Sequence, residues 1–508
     1  MISTPAPPAR PQTAAVAPTM SRLLRASSFY MLANVASRAV GFLAVPFYAR
    51  FLSPAEYGLI ELIELSTQVV AIALGLQSLG PAITRVFHEQ PSPEARCAAV
   101  STGVLSSAVL GGLVAAAAVL LSAPLARAVF HSTEHAPLLQ AAFVAMFFSS
   151  LVEVALVHER IRERAGFFLA YSLVVLFASL GLNVLAIGVL GVGVWGFVAS
   201  KLIVTVLGSA YLLRRLGREV GWRWRPGLVP QLARLAAPLA FSGLCYLVVH
   251  SSDRYFLASN VSLAEIGQYA LAYRFAFLIP ALIGEPFYKA WTATFYRYTG
   301  QTDWRRQFAR VLLYLVLAES VAGVALAVCE RELLALMVPP SFRPPAPLLP
   351  VLVLAYVVRD VGDFYRSLLL IHKRTALIAR IAAFGAALNL GLNVGLIPLY
   401  GVHGAAVATL LTWLAFALVC YAAAWREHGV TLPVAPLAVL AALACGVVGA
   451  AVLWRAPSYP SQVLLDAAWV ALFMGLCAAF YLPASERTAL RAEAVGLTRR
   501  LLARRRAD

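Results

Sequence analysis

Short sequence signatures recur along this chain at a nearly constant spacing, which indicates an internal duplication. The tetrapeptide Gly-Leu-Asn-Val at residues 181–184 returns at 391–394, 210 residues later, and a Gly-Val pair follows each copy by the same interval. Segment 53–58 is echoed by segment 262–267, 209 residues later. These repeated signatures predict two copies of one structural unit. Repeats at a fixed spacing indicate the overall architecture of a chain, so they are interpreted before single motifs.

The composition is that of a membrane protein. Of the 508 residues, 61% are hydrophobic and 13% are charged, with a mean hydropathy of +0.79. A helix needs about 20 apolar residues to cross a bilayer, and about fourteen stretches of this kind can be marked. They are residues 25–48, 58–79, 97–121, 138–157, 166–190, 193–213, 235–257, 266–288, 308–329, 348–370, 377–398, 402–424, 433–453 and 463–482.

The duplication groups these stretches into units. The predicted fold class is an all-α polytopic membrane protein with two six-helix pseudo-symmetric lobes followed by two C-terminal helices. An even number of spans gives both lobes the same orientation, so their symmetry axis is expected to run along the membrane normal. The expected segments are a disordered cytoplasmic tail (1–20), the N-lobe (21–214), a cytoplasmic linker (215–234), the C-lobe (235–425), the last two helices (426–483) and a basic cytoplasmic tail (484–508).

The net charge of +17 reflects membrane topology better than nucleic-acid binding. Of the 41 Lys and Arg, about 30 fall on one side of the predicted helices and about 6 on the other, which is the positive-inside asymmetry and places both termini in the cytoplasm. The chain has 38 Arg against three Lys, as GC-rich bacterial genes encode. We therefore expect a multi-pass protein of the bacterial inner membrane that contacts lipid and no nucleic acid.

Motifs of common enzymes are missing from the sequence. It has no GK[ST] phosphate-binding loop and no HExxH zinc motif, and it has no GxSxG nucleophile elbow. The six cysteines contain no CxxC pair and are expected to be packing residues. No interval is long enough for a soluble catalytic domain. The sequence therefore predicts a transporter and not an enzyme, with no cofactor and no metal.

Two arginines lie near the middle of predicted helices without an acidic residue three or four positions away. Arg38 follows Asn34 by one turn in the first helix, and Arg274 lies in the eighth. A charge at the bilayer centre costs about 2.5–3.5 kcal/mol on insertion scales. Each arginine therefore needs a partner from a distant helix or an anionic ligand, and both are candidates for substrate binding, together with Asn34 on the same face.

The tenth predicted helix carries a stripe of alternating charge. Arg359, Asp363 and Arg366 are spaced i, i+4, i+7 and share one face. Glu153 lies 210 residues before Asp363, so a carboxylate occupies the same place in both lobes. The arginines are candidates for substrate binding and the carboxylates for ion coupling. The alternative is a neutralised pair with one snorkelling arginine.

Further charges lie in other helices. Glu61 and Glu64 in the second helix and Glu319 in the ninth are additional candidates for ion coupling, because intramembrane carboxylates mark ion pathways. Asp253 and Arg254 close the seventh helix. For Glu61, Asp253 and Arg254 a second interpretation is open, in which they lie near the outer interface and are simply solvated.

The segment 34–58 resembles the opening of a known transporter family. It reads Asn-Val-Ala-Ser-Arg-Ala-Val-Gly-Phe at 34–42 and Pro-Phe-Tyr-Ala-Arg-Phe-Leu-Ser-Pro-Ala-Glu-Tyr-Gly at 46–58. With Arg-Glu-Arg-Ala at 162–165 and the Gly-Leu-Asn-Val repeats, the chain resembles, over about residues 22–482, the polysaccharide transporters. These are flippases of lipid-linked, O-antigen-type oligosaccharides in the MOP superfamily, which also holds the MATE drug exporters and the lipid II flippases.

This resemblance implies a fold and a binding site. The family has two MATE-like six-helix lobes around a central cavity, often two extra helices, and no cofactor. Its cavity is cationic and receives a lipid pyrophosphate, and related flippases place arginines in the helices of Arg38 and Arg274. The candidate substrate-binding residues are Arg38, Asn34, Arg274, Arg359 and Arg366.

The function expected from the sequence is that of a flippase. It would carry an undecaprenyl-pyrophosphate-linked oligosaccharide to the outer leaflet by alternating access, for lipopolysaccharide or exopolysaccharide biosynthesis, with a polysaccharide polymerase and export machinery as partners. A MATE-like drug/cation antiporter is the alternative, favoured by the carboxylates, and a membrane glycosyltransferase or ligase is a further one.

Overall fold

The computed structural model describes residues 41–42, 44–288, 291, 303–371 and 374–481, which form helices with no strand among them. The longer helices are α1 (Val45–Phe51), α2 (Pro54–Ala73), α3 (Leu79–Glu89), α4 (Pro93–Leu120), α5 (Ser122–Phe130), α6 (Ala136–Ile161), α7 (Ala165–Asn183), α8 (Val194–Val220), α9 (Val229–Ser251), α10 (Asp253–Ala258), α11 (Leu263–Ala276), α12 (Trp304–Val328), α13 (Glu330–Met337), α14 (Leu348–Ile371), α15 (Thr375–His428), α16 (Val434–Leu453) and α17 (Tyr459–Leu476). The predicted tails, 1–20 and 484–508, lie outside the described residues.

The helices confirm a multi-pass membrane protein. Within the described ranges, ten helices are long and apolar enough to cross a membrane, or up to eleven if α2 and the segment Leu76–Glu89, bent by 59°, count as one span. The number fourteen stays a prediction, for three reasons. Most of stretch 25–48 lies outside the described residues, α14 carries four charged side chains, and α15 runs through both 377–398 and 402–424 with a kink at Gly401.

Several predicted boundaries shift because local capping decides where a helix starts. The second predicted stretch begins at Pro54 and not at residue 58, because Ser53 caps the helix. The polar interval 215–234, predicted as a linker, is largely helical, since α8 continues to Val220 and α9 begins at Val229.

The echoed segments 53–58 and 262–267 form the same capping box. Glu56 N–H donates to Ser53 Oγ at 3.2 Å, and Ser53 N–H donates back to Glu56 Oε2 at 2.8 Å. Glu265 and Ser262 make the same two bonds, at 3.3 and 3.0 Å. A Ser followed three residues later by Glu satisfies two backbone donors at once, so this part of the repeat fixes the start of α2 and of α11.

The two echoed segments also pack directly on each other. A methyl group at Gly58 would overlap the carbonyl oxygen of Leu263, and a methyl group at Gly267 would overlap the carbonyl oxygen of Pro54. The contact is reciprocal, because Leu263 and Gly267 follow Pro54 and Gly58 by the same 209 residues. Reciprocal contacts of this kind mark an approximate two-fold axis, and they require glycine because the two backbones touch.

The second repeated signature also keeps its structure. Gly191 and Gly401 adopt positive φ of 66° and 55°, a conformation that glycine reaches without steric cost. The asparagines of the two tetrapeptides, Asn183 and Asn393, are both buried. Asn183 donates to the hydroxyl of Tyr48 at 2.8 Å. The two copies of this signature therefore share a glycine with positive φ and a buried asparagine.

The last two helices belong to the packing of the C-lobe. Phe473 of α17 and Leu440 of α16 lie in one buried apolar cluster with Phe308 of α12 and Phe364 of α14. The hydroxyl of Tyr481 donates to the carbonyl of Leu313 at 2.9 Å. Helices α16 and α17 therefore cover α12 from outside.

Candidate functional site

A cavity of about 370 Å³ lies where the end of the first predicted helix meets the C-lobe. Its walls come from the segment 41–42, the end of α9, α10, α11 with the turn that follows it, and α14. The lining residues are Gly41, Phe42, His250, Ser251, Arg254, Tyr273, Arg274, Phe277, Leu278, Ala281 and Tyr356. Two guanidinium groups in a mostly aromatic and aliphatic wall suit a ligand with an anionic head and an apolar body.

Arg274 is the more available of the two cations. Its side chain is 40% exposed, and Nη2 lies 3.5 Å from Glu61 Oε2 on α2. The guanidinium also stands over the ring of Tyr57, 5.1 Å from the ring centroid. The structure thus supplies the distant acidic partner that the sequence required, and it still leaves part of the guanidinium open to the cavity.

Arg254 is buried and held from several sides. Its Nε donates to Glu61 Oε1 at 3.0 Å, and its Nη1 donates to Asp253 Oδ1 at 3.1 Å and to the carbonyl of His250 at 2.9 Å. The hydroxyl of Tyr269 donates to Asp253 Oδ2. The relative exposure is 5% for Arg254 and 1% for Asp253, so the interpretation of these two residues as solvated interface charges is wrong.

Glu61 ties the two lobes together. It comes from the N-lobe, whereas both of its cationic partners, Arg254 and Arg274, come from the C-lobe. With Asp253 included, two negative and two positive charges balance in this group. Glu61 is therefore the carboxylate that neutralises these C-lobe arginines from the other lobe.

The predicted stripe on α14 is a neutralised cluster in this conformation. Arg359 is buried, with Nη2 3.0 Å from Asp360 Oδ1 and Nε 3.6 Å from Asp363 Oδ2. Arg366 Nε donates to Asp363 Oδ1 at 2.8 Å. Neither arginine lines the cavity, although the guanidinium of Arg359 stands 5.3 Å from the ring centroid of the wall residue Tyr356.

The predicted coupling carboxylates have different surroundings. Glu64 accepts from Lys201 Nζ at 2.6 Å within the N-lobe, and Glu153 is exposed. Asp363, its equivalent 210 residues later, holds two arginines. Glu319 is completely buried. The structure thus groups only Glu61 with the cavity arginines. Asn34 and Arg38 lie outside the described residues.

Sequence reasoning missed two features of this region. Tyr273 and Tyr356 form much of the cavity wall, and Glu319 faces Asp360 from a neighbouring helix. Aromatic residues are common throughout the chain, and no spacing rule connects Glu319 with Asp360, so no local signal could have found either feature.

Glu61→Gln is expected to weaken the tie between the lobes. The amide keeps a contact with Arg254 but leaves two guanidinium groups with Asp253 as the remaining carboxylate of the group. Removing one partner of a fully buried pair costs about 3–5 kcal/mol, and the loss is expected to be smaller here because the Glu61 side chain is 19% exposed. The check is the thermal unfolding temperature of the detergent-solubilised protein, which should fall.

The matched control is Glu64→Gln, which breaks the ion pair with Lys201 inside the N-lobe. The side chains of Lys201 and Glu64 are 30% and 29% exposed. This variant should lower the unfolding temperature less than Glu61→Gln does. Adding Arg274→Gln to Glu61→Gln restores the charge balance and should recover part of the loss. Equal unfolding temperatures for Glu61→Gln and Glu64→Gln would contradict the interlobe role.

Comparison with known proteins agrees with this architecture. The model of the polysaccharide biosynthesis protein family matches residues 47–342, more than half of the chain. No curated protein matches. Among solved structures, the lipid II flippase MurJ in an inward closed conformation is similar with a TM-score of 0.71 and 13% identity, over 88% of this chain and 98% of that chain.

Two MATE structures are also similar. An inward-facing multidrug resistance MATE family transporter of the MOP superfamily has a TM-score of 0.62 and 15% identity, over 77% of this chain and 94% of that chain. A mutant of the Vibrio cholerae MATE transporter VcmN has a TM-score of 0.54 and 17% identity, over 81% and 98%. These likenesses confirm the MATE-like fold expected from the sequence. The chain belongs to the polysaccharide biosynthesis protein family and has the fold of the MOP-superfamily transporters.

Proposed function

We propose that the protein is a flippase for an undecaprenyl-pyrophosphate-linked oligosaccharide, moving it from the cytoplasmic to the outer leaflet of the bacterial inner membrane. The family concerns polysaccharide biosynthesis, and one solved structure with this fold is a lipid II flippase. The observation that carries the proposal is the cavity with Arg274, a partly exposed guanidinium inside a membrane-embedded fold. Guanidinium forks pair bidentately with phosphate oxygens and remain charged.

The ion pair of Glu61 suggests how binding drives the cycle. Pyrophosphate oxygens compete with Glu61 first for Arg274 and then for Arg254. When a guanidinium group pairs with the phosphate instead of Glu61, the ion pair that links the N-lobe to the C-lobe is lost. Before binding, Glu61 and Asp253 balance the two guanidinium groups. On binding, the pyrophosphate takes the place of Glu61 as their anionic partner, so the anion replaces the carboxylate that holds the lobes together. Arg38, Asn34, Arg359 and Arg366 are further proposed contacts of the substrate when the lobes rearrange.

The orientation follows from the distribution of basic residues. With both termini in the cytoplasm, the starts of α2 and α11 lie on the outer side, and the contact of Gly58 with Gly267 closes that side. Moving an anion outward is favoured by an inside-negative potential, at roughly 2.3 kcal/mol per charge per 100 mV. When no charge of the protein moves with it, a pyrophosphate with about two charges gains roughly 4–5 kcal/mol at 100 mV in this way, without any coupling ion. Ion coupling through Glu61, Glu64, Glu153, Glu319 or Asp363 is the alternative source of energy.

Deleting the gene in its bacterium tests the proposal. The expected result is less surface polysaccharide and an accumulation of lipid-linked oligosaccharide in the cytoplasmic leaflet, because the polymerase and export machinery outside receive no substrate. Mass spectrometry of extracted lipids and labelling of surface glycan measure the two quantities. Unchanged surface polysaccharide with increased sensitivity to cationic drugs would indicate an antiporter. Loss of the lipid-linked intermediate itself would indicate a transferase.

A further inference from the structure

Two carboxyl groups face each other in the interior of the C-lobe, away from the arginine cavity. Glu319 lies on α12 and Asp360 on α14, and both are completely buried. Within the described part of the chain, neither oxygen of Glu319 has a hydrogen-bond donor, and Oδ2 of Asp360 has none either. The two carboxyl groups contact each other. Buried polar atoms are nearly always paired, so three orphaned oxygens at one place require an explanation.

The backbone is shaped to admit this pair. Gly284 ends a π-helical turn, Pro280–Gly284, that follows α11. A methyl group at Gly284 would overlap Asp360 Oδ2 and stand 3.3 Å from Glu319 Oε1. Both oxygens therefore point at the same spot, and the missing side chain provides the room. The hydroxyl of Tyr288, one turn further, donates to the backbone carbonyl of Asp360.

The charges around the pair do not balance when every group is ionised. Asp360 and Asp363 share Arg359, and Asp363 also holds Arg366. Glu319 makes no ion pair among the described residues. The phenol rings of Tyr246 and Tyr288 lie near the same charges. Among the described residues of this cluster, three carboxylates (Glu319, Asp360 and Asp363) against two guanidinium groups leave one negative charge in excess, at two carboxyl groups that touch.

We propose that Glu319 and Asp360 bind one proton between them and form a proton site of the C-lobe. Carboxylates only accept hydrogen bonds, whereas a protonated carboxyl donates one. One proton therefore turns the repulsive contact into a hydrogen bond, satisfies an oxygen of each residue and brings the cluster to neutrality. Like-charged carboxylates that share a site hold a proton for this reason. The adjacent guanidinium of Arg359 disfavours a metal cation in the same place.

The site is connected to the arginine cavity through one segment. Arg274 lies on α11, the turn Pro280–Gly284 follows that helix, and the side of Gly284 where a methyl group would stand faces both carboxyl groups. Loading or releasing the proton changes the charge under this turn by one, and the segment that would shift also carries Arg274. We assign the site as the point where proton binding couples to substrate movement. This coupling role rests on the proposed flippase function, whereas proton binding itself does not.

Infrared spectroscopy of the purified protein in nanodiscs tests proton binding without a substrate. At neutral pH, the wild-type protein should show the C=O stretch of a buried protonated carboxyl group, shifted in heavy water and lost as the pH is raised. Glu319→Gln and Asp360→Asn should each remove the band. Gln at position 319 can donate the same hydrogen bond to Asp360, so this variant should remain folded. The control Glu134→Gln changes an exposed loop carboxylate and should leave the band intact.

The outcomes separate the two levels of the proposal. A wild-type protein without the band, or a band that survives both Glu319→Gln and Asp360→Asn, would overturn the proton site. A band that disappears on adding sodium chloride, but not choline chloride, would also overturn it in favour of a metal cation. If the band behaves as expected but Glu319→Gln fully restores surface polysaccharide to the deletion strain, the coupling role is wrong. A deletion strain with normal polysaccharide would contradict the proposed function while the band remains.

Discussion

Gly58→Ala is expected to abolish export, because its methyl group would overlap the backbone oxygen of Leu263 where α2 crosses α11. Neither backbone can yield without separating the two helices. Forcing extra atoms into a packed contact costs typically about 1–3 kcal/mol, which lowers the population of the closed state by roughly 5–150-fold. Gly267→Ala should have the same effect, because it meets Pro54 in the reciprocal position.

The change in conformation can be measured directly. Spin labels at the exposed residues Thr133 and Arg343, in loops of the N-lobe and C-lobe that we place on the outer side, should move apart in both glycine variants. Gly391→Ala is the matched control, since a methyl group there meets nothing within 4 Å, and it should leave the distance and the export unchanged. Wild-type distances in Gly58→Ala and Gly267→Ala would show that the crossing does not hold the outer side closed.

Arg274→Ala is expected to reduce surface polysaccharide by more than tenfold while the protein remains folded. It removes the guanidinium that is both exposed to the cavity and engaged by Glu61. Arg274→Lys should be intermediate, because an ammonium keeps the charge but loses the bidentate fork. The measurement is surface glycan per folded protein in the deletion strain, with folding followed by gel filtration.

Arg85→Ala is the control for this experiment, because Arg85 is a highly exposed arginine that pairs with Glu89 on its own helix. It should complement fully. If Arg274→Ala is folded and complements as well as Arg85→Ala, the cavity does not bind the substrate through Arg274, and the antiporter becomes the better explanation. If Arg274→Ala does not fold while Arg274→Lys folds and exports normally, the residue serves only to hold the lobes.

Features that depend on neighbours along the chain could be predicted from the sequence. Apolar stretches of membrane length required helices, since a backbone in lipid must satisfy its own hydrogen bonds. The pairs Ser53 with Glu56 and Ser262 with Glu265 carry a local signal for two helix starts, because a capping box needs only residues three apart. The predicted stretches nevertheless began later, at residues 58 and 266, and the helices begin at Pro54 and Leu263. The repeat of Gly191 at Gly401 marked two backbone turns. The predicted stretches 377–398 and 402–424 lie on either side of Gly401, where the backbone leaves the helical conformation.

The partners of the charged residues were decided only by the tertiary structure. Arg274 lacked an acidic residue three or four positions away on its own helix, but nothing local could name Glu61, more than 200 residues away, as its partner. The same holds for Asp253 and Arg254, which looked like solvated interface residues and are buried, and for Glu319, which meets Asp360 without a compensating cation. Sequence spacing determines which side chains share a face of one helix. Which faces then meet depends on how whole helices pack. Because charges interact strongly in the low dielectric of the protein interior, this packing determines whether a charged side chain has an ion-pair partner, is available to a ligand or needs a bound proton.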